Sequence, residues 1–230
     1  MFFLLFGIMK ISIIGSGLVG SQIALFLLLE NVVEKIFLFD KNYDKALGES
    51  MDINQCMSVL NNEKECITSE DISLINNSDV VVVVIGRRRK IGEIRTDLFL
   101  PNKNDIQKTC ENIKKYSPNA IIVMVTNPSD DFSKMAHELT SCKVFSVGTD
   151  LDTARLRELI HSKTSKPRKE ITAYVSGEHG ENMKIHGVEG KIIEECSQIA
   201  INTISKKGAT VFAPAMSTVN KIKEIIEQNK

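Results

Sequence analysis

The sequence predicts an α/β protein built on a doubly wound parallel sheet, followed by a second, smaller α+β domain. Short apolar segments alternate with longer helical ones as far as residue 160. Such alternation is typical of parallel strands joined by right-handed helical crossovers. Residues 79–85 contain five consecutive valines, which suits a strand buried on both faces of a sheet. The glycine-rich residues 15–20 separate the first apolar segment from the first helical one.

The elements of this sheet follow from the apolar pattern, taken in order. Residues 10–14 form a short apolar run and are predicted as the first strand, and residues 18–33 as a helix that is apolar nearly all round. The remaining elements are predicted as a strand at 36–39, a helix near 43–59, a short strand around Ile67, the valine strand, a helix at about 96–116, a strand at 120–126, and a further helix, strand and helix up to residue 160.

The regular alternation weakens near Thr149. Residues 163–169 are predicted as a polar loop, residues 171–176 as a strand, and two helical segments fill the chain from about Gly190. We place a domain boundary near Val147. The first domain then covers residues 9–147 and the second covers residues 148–230.

The composition excludes several classes of partner and site. Lys plus Arg equals Asp plus Glu, at 29 each, so no charge excess indicates nucleic acid or an anionic membrane. The five cysteines form no C-x-x-C pair, which favours free thiols in the cytoplasm over disulfides or a metal site. Residues 1–8 are apolar but lack the features of a signal peptide and are too short to span a bilayer. We interpret them as an apolar tail.

Residues 15–20 read Gly-Ser-Gly-Leu-Val-Gly and match the G-x-G-x-x-G pattern. A strand precedes them, a helix follows, and Asp40 comes twenty residues after Gly20, which is the arrangement of dinucleotide-binding sites. Gly15 would allow a tight turn, Gly17 the approach of a pyrophosphate, and Gly20 close packing of helix on strand. Because a carboxylate at Asp40 accepts from ribose hydroxyls and repels a 2′-phosphate, the cofactor is expected to be NAD rather than NADP.

Five cations occupy the loop at residues 86–95. Two of them, Arg89 and Arg95, are six residues apart, so a mobile loop could bring both guanidinium groups onto one small dianion. A solvated surface loop is the alternative.

Two further segments carry groups suited to acid–base chemistry. Asp152 and Arg155 are three residues apart in a predicted helix and therefore share one face, as a surface ion pair would also do. His179 lies in the run Gly-Glu-His-Gly after a predicted strand. It is either an ordinary loop histidine or a proton carrier held by a carboxylate.

Together these segments resemble the lactate/malate dehydrogenase family, and within it the malate dehydrogenase branch. The resemblance extends from about Lys10 to about Ile226 and rests on six segments in the order of the family: residues 15–20, 89–95, 126–128, 151–155, 177–180 and 208–210. It implies a Rossmann sheet that binds NAD, a catalytic second domain, and a homodimer or homotetramer that interconverts the dicarboxylate (S)-malate and oxaloacetate.

The resemblance also implies a role for each matching residue. His179 would exchange the proton with the substrate, Asp152 would hold its other ring nitrogen, and Arg155 would bind the C1 carboxylate. Arg95 would polarise the reacting carbonyl. Arg89 would bind the second carboxylate, where lactate-specific relatives usually carry glutamine. The expected cofactor-binding residues are Gly15, Ser16, Gly17, Leu18, Val19, Gly20, Asp40, Asn102, Val125 and Asn127, the last of which would also contact the substrate.

The chain departs from the family pattern in three places. The loop lacks the prolines usual near Arg88 and Ile91, and Glu93 replaces a common apolar residue. The stretch between His179 and Thr210 is shorter than usual, and only one helix follows it, so we expect an incomplete second domain. Two alternatives to malate dehydrogenase therefore stay open. One is a lactate or other 2-hydroxyacid dehydrogenase, and the other is a catalytically impaired NAD-binding remnant.

Overall fold

The computed structural model describes residues 9–87, 89–90, 92–180 and 182–228. The expected tail at residues 1–8 lies outside this part of the chain. Strands and helices alternate through the described residues in this order: β1 Ile11–Ile14, α1 Leu18–Leu29, β2 Lys35–Phe39, α2 Tyr43–Val59, β3 Glu65–Ile67, β4 Val80–Val83, α3 Phe99–Tyr116, β5 Ile121–Met124, α4 Ser129–Thr140, β6 Val144–Ser146, α5 Gly148–Thr164, β7 Tyr174–Gly177, β8 Met183–His186, α6 Lys191–Lys207 and α7 Phe212–Gln228.

The first six strands form one parallel sheet in the order β3-β2-β1-β4-β5-β6. This confirms the predicted doubly wound sheet. From β1 the chain adds β2 and β3 on one side of the sheet, then returns to add β4, β5 and β6 on the other side. The strand order therefore switches between β1 and β4, which are paired from Ile11 with Val80 to Ile14 with Val83. A crevice opens at the carboxyl ends of the strands at such a switch point, and ligands of doubly wound proteins bind there.

The valine run forms the centre of the sheet and faces a core on each side. Val80 and Val82 join the core that contains α1, whereas Val81 and Val83 join the core under α3 and α4. None of the four is more than 1% exposed. Because successive side chains of a strand point to opposite faces, a strand between two cores needs apolar residues at every position.

Helix α1 ends at Leu29, four residues before the predicted end at Val33. Asn31 adopts a left-handed conformation with φ of 55°, which terminates the helix. The buried ammonium group of Lys64 donates to the carbonyl of Leu28 at 2.8 Å and also bonds the Asn31 side chain. The sequence gives no sign of this end because Lys64 is far away along the chain.

Helix α7 packs across α1 and explains why α1 is apolar nearly all round. Ala215, Val219 and Ile222 of α7 belong to the same core as Leu27 and Leu28 of α1. One side of α1 therefore faces the sheet and another faces α7. Although α7 follows the proposed boundary near Val147 in the chain, it completes the core of the sheet region.

The remaining chain forms a small antiparallel hairpin of β7 and β8 beside α5 and α6. The two helices predicted from Gly190 are confirmed as α6 and α7. Strand β8 was not predicted, since four residues between turn glycines carry too weak a pattern. The predicted strand at 171–176 begins only at Tyr174, where pairing with β8 starts opposite His186, and the carbonyl of Ala173 before it accepts from Arg157 at 3.2 Å. Among the described residues, no helix is long and apolar enough to cross a bilayer.

Candidate active site

The glycine-rich turn joins β1 to α1, and two of its glycines pack so closely against neighbouring backbone that no side chain would fit. Gly15 has φ of 114°, and a Cβ on Gly20 would lie 1.8 Å from the carbonyl oxygen of Gly15. Gly17 differs, since the nearest atom to a Cβ there is the Lys45 ammonium nitrogen at 3.9 Å. A side chain at Gly15 or Gly20 would therefore clash with neighbouring backbone atoms, whereas Gly17 leaves room for a ligand at the N-terminus of α1.

Asp40 follows β2 and binds this turn directly. Its Oδ2 accepts from the backbone N–H of Ser16 at 2.8 Å and from the Ser16 hydroxyl at 3.1 Å. Burial raises the pKa of Asp40, but hydrogen bonds from Asn42 and Ser16 and the charge of Lys45 outweigh it and hold the pKa below 3.8. Asp40 is therefore ionised and fixes the turn, in addition to its expected contact with a ribose.

Asn127 and Asn102 lie near the carboxyl ends of β5 and β4. The Asn102 amide donates to the carbonyl of Asn127 at 3.3 Å and accepts from the N–H of Arg87 at 3.0 Å. Asn102 is thus a buried brace. The Oδ1 of Asn127 is buried and has no hydrogen-bond partner within the described residues. A buried carbonyl oxygen without a partner is costly, so it fits a ligand that donates to it.

A cavity of about 220 Å³ opens between these elements and the second half of the chain. It brings together the predicted residues Gly17, Leu18, Val19, Val125, Asn127, Arg89, Arg95, Arg155 and His179. Gly15, Ser16, Gly20, Asp40 and Asn102 do not line it. The open space at Gly17 and the unpartnered Asn127 oxygen both fit a bound dinucleotide.

A buried Asp–His pair adjoins this cavity, which its histidine lines and its aspartate does not. The Nδ1 atom of His179 is 2.5 Å from Oδ2 of Asp152, and the other carboxylate oxygen accepts from Arg155 at 3.1 Å. The three side chains are at most 9% exposed. The predicted helical spacing of Asp152 and Arg155 thus produces a buried pair that is shared with His179.

Burial and charge set the protonation states of this group. Burial raises the pKa of Asp152, but the hydrogen bond from His179 and the positive charges nearby hold it below 3.8. Burial also lowers the pKa of His179 below 6.5, and the cations Arg95 and Arg155 lower it further against the opposing effect of Asp152. Asp152 is therefore ionised and accepts from Nδ1–H, while an uncharged His179 can take up a proton at Nε2.

The cationic loop places Arg89 beside Arg155. Both side chains line the cavity, and burial and, next, the charge of Arg155 lower the pKa of Arg89. Glu93 is bound elsewhere, since both its oxygens accept from Arg87 at 2.8 Å. That contact lowers the pKa of Glu93 to about 2. Arg88 and Ile91, where the loop lacks prolines, lie outside the described residues.

Two residues at the site were not singled out from the sequence. A Cβ on Gly148, at the start of α5, would lie 2.3 Å from the Cβ of His179, so only glycine fits there. Asp130 in the first turn of α4 accepts from the backbone N–H of His179 at 2.6 Å. Gly148 lies four residues before Asp152, and Asp130 lies three residues after Asn127. Their closeness to these predicted site residues is the feature of the sequence that could have identified them.

Comparison with known proteins supplies the family. A sequence profile described as the NAD-binding domain of lactate/malate dehydrogenase matches residues 9–148. The chain shares 35% identity with an L-lactate dehydrogenase of Fervidobacterium nodosum, over 96% of this chain and 81% of that one. The chain belongs to the lactate/malate dehydrogenase family. Residues 9–148 form its NAD-binding domain, so both the expected family and the expected cofactor are confirmed.

Solved structures of this family superimpose closely on the chain. The malate dehydrogenase of Archaeoglobus fulgidus in complex with NADH gives a TM-score of 0.84 at 29% identity, over 95% of this chain and 78% of that chain. The lactate dehydrogenase of Eimeria maxima with NADH and oxamate gives 0.84 at 26%, over 95% and 74%. Because the curated sequence relatives are named L-lactate dehydrogenases, the comparisons favour the lactate alternative over the malate interpretation.

Proposed function

We propose that this dehydrogenase reversibly transfers a hydride between NAD and a small 2-hydroxy acid. The observation that carries the proposal is the buried Asp152–His179 pair, whose histidine lines a cavity shared with Arg155 and with the glycine turn of α1. The pair supplies a proton site, Arg155 supplies a cation for a carboxylate, and the turn supplies a phosphate site. These are the groups that oxidation of a hydroxy acid requires in one place.

We assign each residue of the site a role in the reaction. Bound NAD supplies the hydride acceptor. With Nδ1 held by Asp152, the His179 Nε2 atom takes the hydroxyl proton during oxidation and returns it during reduction. The Asp152 carboxylate stabilises the imidazolium that forms. Arg155 binds the substrate carboxylate, and Arg95 donates to the reacting oxygen as charge develops on it.

For the substrate we propose a four-carbon dicarboxylate, malate or oxaloacetate. The supporting observation is Arg89, which lines the cavity and forms no ion pair within the described residues. A half-buried guanidinium beside a second cation is unfavourable unless an anion binds it. The second candidate is lactate or pyruvate, and the names of the curated relatives support it.

Initial rates of NADH oxidation with oxaloacetate and with pyruvate test the proposal. We expect a higher kcat/KM for oxaloacetate, since only its distal carboxylate can pair with Arg89. A higher value for pyruvate would support the lactate candidate. Normal NADH binding without turnover of either compound would favour the impaired remnant.

The pH dependence of turnover should report His179. Reduction requires the protonated imidazole, so its kcat/KM should rise as the pH falls through a pKa below 6.5. Oxidation requires the neutral imidazole and should lose activity over the same range. Rates in both directions from about pH 5 to about pH 9 would show this. Asp152→Asn removes the carboxylate that raises the His179 pKa, so the transition should move to lower pH. Identical profiles in the two directions would contradict this role.

The cofactor preference should depend on Asp40. We expect NADH to bind at least about tenfold more tightly than NADPH, because the carboxylate repels a 2′-phosphate. Asp40→Asn should reduce this preference while keeping an oxygen for Ser16. The chain has no tryptophan, so the fluorescence of the reduced cofactor provides the signal. Asp44→Asn removes an equal charge from an exposed position on α2 and serves as the control. Equal binding of both cofactors to the wild type would refute the role of Asp40.

The organisation of the molecule beyond the site is also a proposal. We retain a boundary near Val147 between the cofactor domain and the substrate domain, and a homodimeric or homotetrameric cytoplasmic enzyme. The Rossmann sheet supports the first part, the family resemblance is the basis for the oligomer, and the five cysteines without C-x-x-C spacing favour the cytoplasm.

A further inference from the structure

We infer that Asp130 is a positioning residue that fixes the backbone of His179 relative to the cofactor side of the site. The inference rests on the proposed function, because it concerns the alignment of proton transfer with hydride transfer. Asp130 is in the first turn of α4, in the sheet region, whereas His179 follows β7 in the second half of the chain. Their hydrogen bond therefore crosses between the two parts of the molecule.

The contact is short and charge-assisted. The backbone nitrogen of His179 lies 2.6 Å from Oδ2 of Asp130, shorter than an ordinary N–H···O bond, and bonds to ionised acceptors are the shorter and stronger ones. A second contact lies one turn further along α4, where Lys134 pairs with Glu178 at 3.1 Å. The side chains of that pair are 66% and 54% exposed, so it adds little. The Asp130 bond is the stronger of the two links.

The histidine needs such an anchor because its backbone is otherwise permissive. Gly177 and Gly180 flank the segment with φ values of 86° and 137°, and glycine allows a wide range of conformations. Asp152 holds only one nitrogen of the ring, and Gly148 limits the ring from one side. The hydrogen bond between Asp130 and the backbone N–H fixes the position of the His179 main chain, from which the imidazole extends.

The segment that leads into α4 also bears on the cofactor side. Asn127, whose unpartnered oxygen lines the cavity, comes three residues before Asp130, with Pro128 between them. Only Pro128 and the first residue of α4, Ser129, separate Asn127 from the anchor of His179, so this short segment determines the distance between them. Rate depends steeply on such distances, since a displacement of about 1 Å can cost roughly 10²-fold.

Asp130→Ala should lower kcat about ten- to a hundredfold while the KM for the 2-oxo acid and the affinity for NADH change little. It should also increase the primary deuterium isotope effect on kcat with deuterated NADH, because the chemical step becomes slower relative to product release. A purely structural role would lower the melting temperature without this division between kcat and KM. Asp130→Asn keeps an acceptor oxygen and should restore much of the rate.

Asp131→Ala is the matched control, since Asp131 is the exposed neighbour on the same turn. The inference fails if Asp130→Ala turns over as fast as the wild type, or if Asp131→Ala shows an equal loss. It also fails if the asparagine variant is no faster than the alanine variant. A wild type that reduces no 2-oxo acid would instead overturn the proposed function, and the inference with it.

Discussion

Replacing His179 with asparagine should remove nearly all turnover, with a loss of about 10²-fold or more, while NADH still binds. An amide at this position can still bond to Asp152, but it cannot exchange a proton with the substrate. The side chain is only 5% exposed, so water cannot easily take its place. Initial rates and a fluorescence titration with NADH would separate the loss of chemistry from a loss of binding.

A histidine elsewhere in the chain provides the control. His161 lies near the end of α5, where its Nδ1 is 2.8 Å from the carbonyl oxygen of Lys166. His161→Asn should leave the rate unchanged. If His179→Asn kept most of its activity, His179 would be an ordinary loop residue and the proposed proton transfer would be wrong.

Replacing Arg89 with glutamine should reverse the order of the two candidate substrates. Oxaloacetate would lose a charge-assisted contact to its distal carboxylate, at a cost of about 2–4 kcal/mol, or roughly 30- to 900-fold in kcat/KM. Pyruvate has no second carboxylate and should lose nothing. It should gain if the cation that now faces its methyl group is unfavourable. The ratio of kcat/KM values for both substrates, in wild type and variant, measures this discrimination directly.

Lys90→Gln is the matched control for this experiment, because Lys90 is the exposed cation next to Arg89. Because salt screens an exposed charge, we expect Lys90→Gln to change the kcat/KM of both substrates only slightly. Equal losses for both substrates in Arg89→Gln would mean that Arg89 supports the loop rather than the distal carboxylate.

The sequence was most informative where a local pattern has one physical explanation. The valine strand required cores on both faces, and the glycine turn required a backbone without side chains, as Gly15 and Gly20 show. The residues around the cavity, from Arg89 to His179, are ninety positions apart in the sequence. Their motifs, which occur in the order of the family and near its spacing, indicated that they belong together.

The sequence was least informative where a distant group determines the local structure. Lys64 determines the end of α1 from 36 positions away. Asp130 resembles any acidic residue in the first turn of a helix, where the helix dipole favours negative charge. Only the fold shows that its oxygen binds the backbone of His179. Residue types and spacing do not encode such pairings.

The packing of α7 on α1 has a consequence for how the protein is made. Lys223 pairs with Glu30 across 193 residues of sequence, and the apolar side chains of both helices meet beneath that pair. During synthesis, α1 emerges from the ribosome before α7 is made. The apolar face of α1 that α7 will cover is therefore exposed to solvent during that time. Contacts that join such distant residues also form slowly. The cofactor domain can therefore complete its core only after the C-terminal helix α7 has been made.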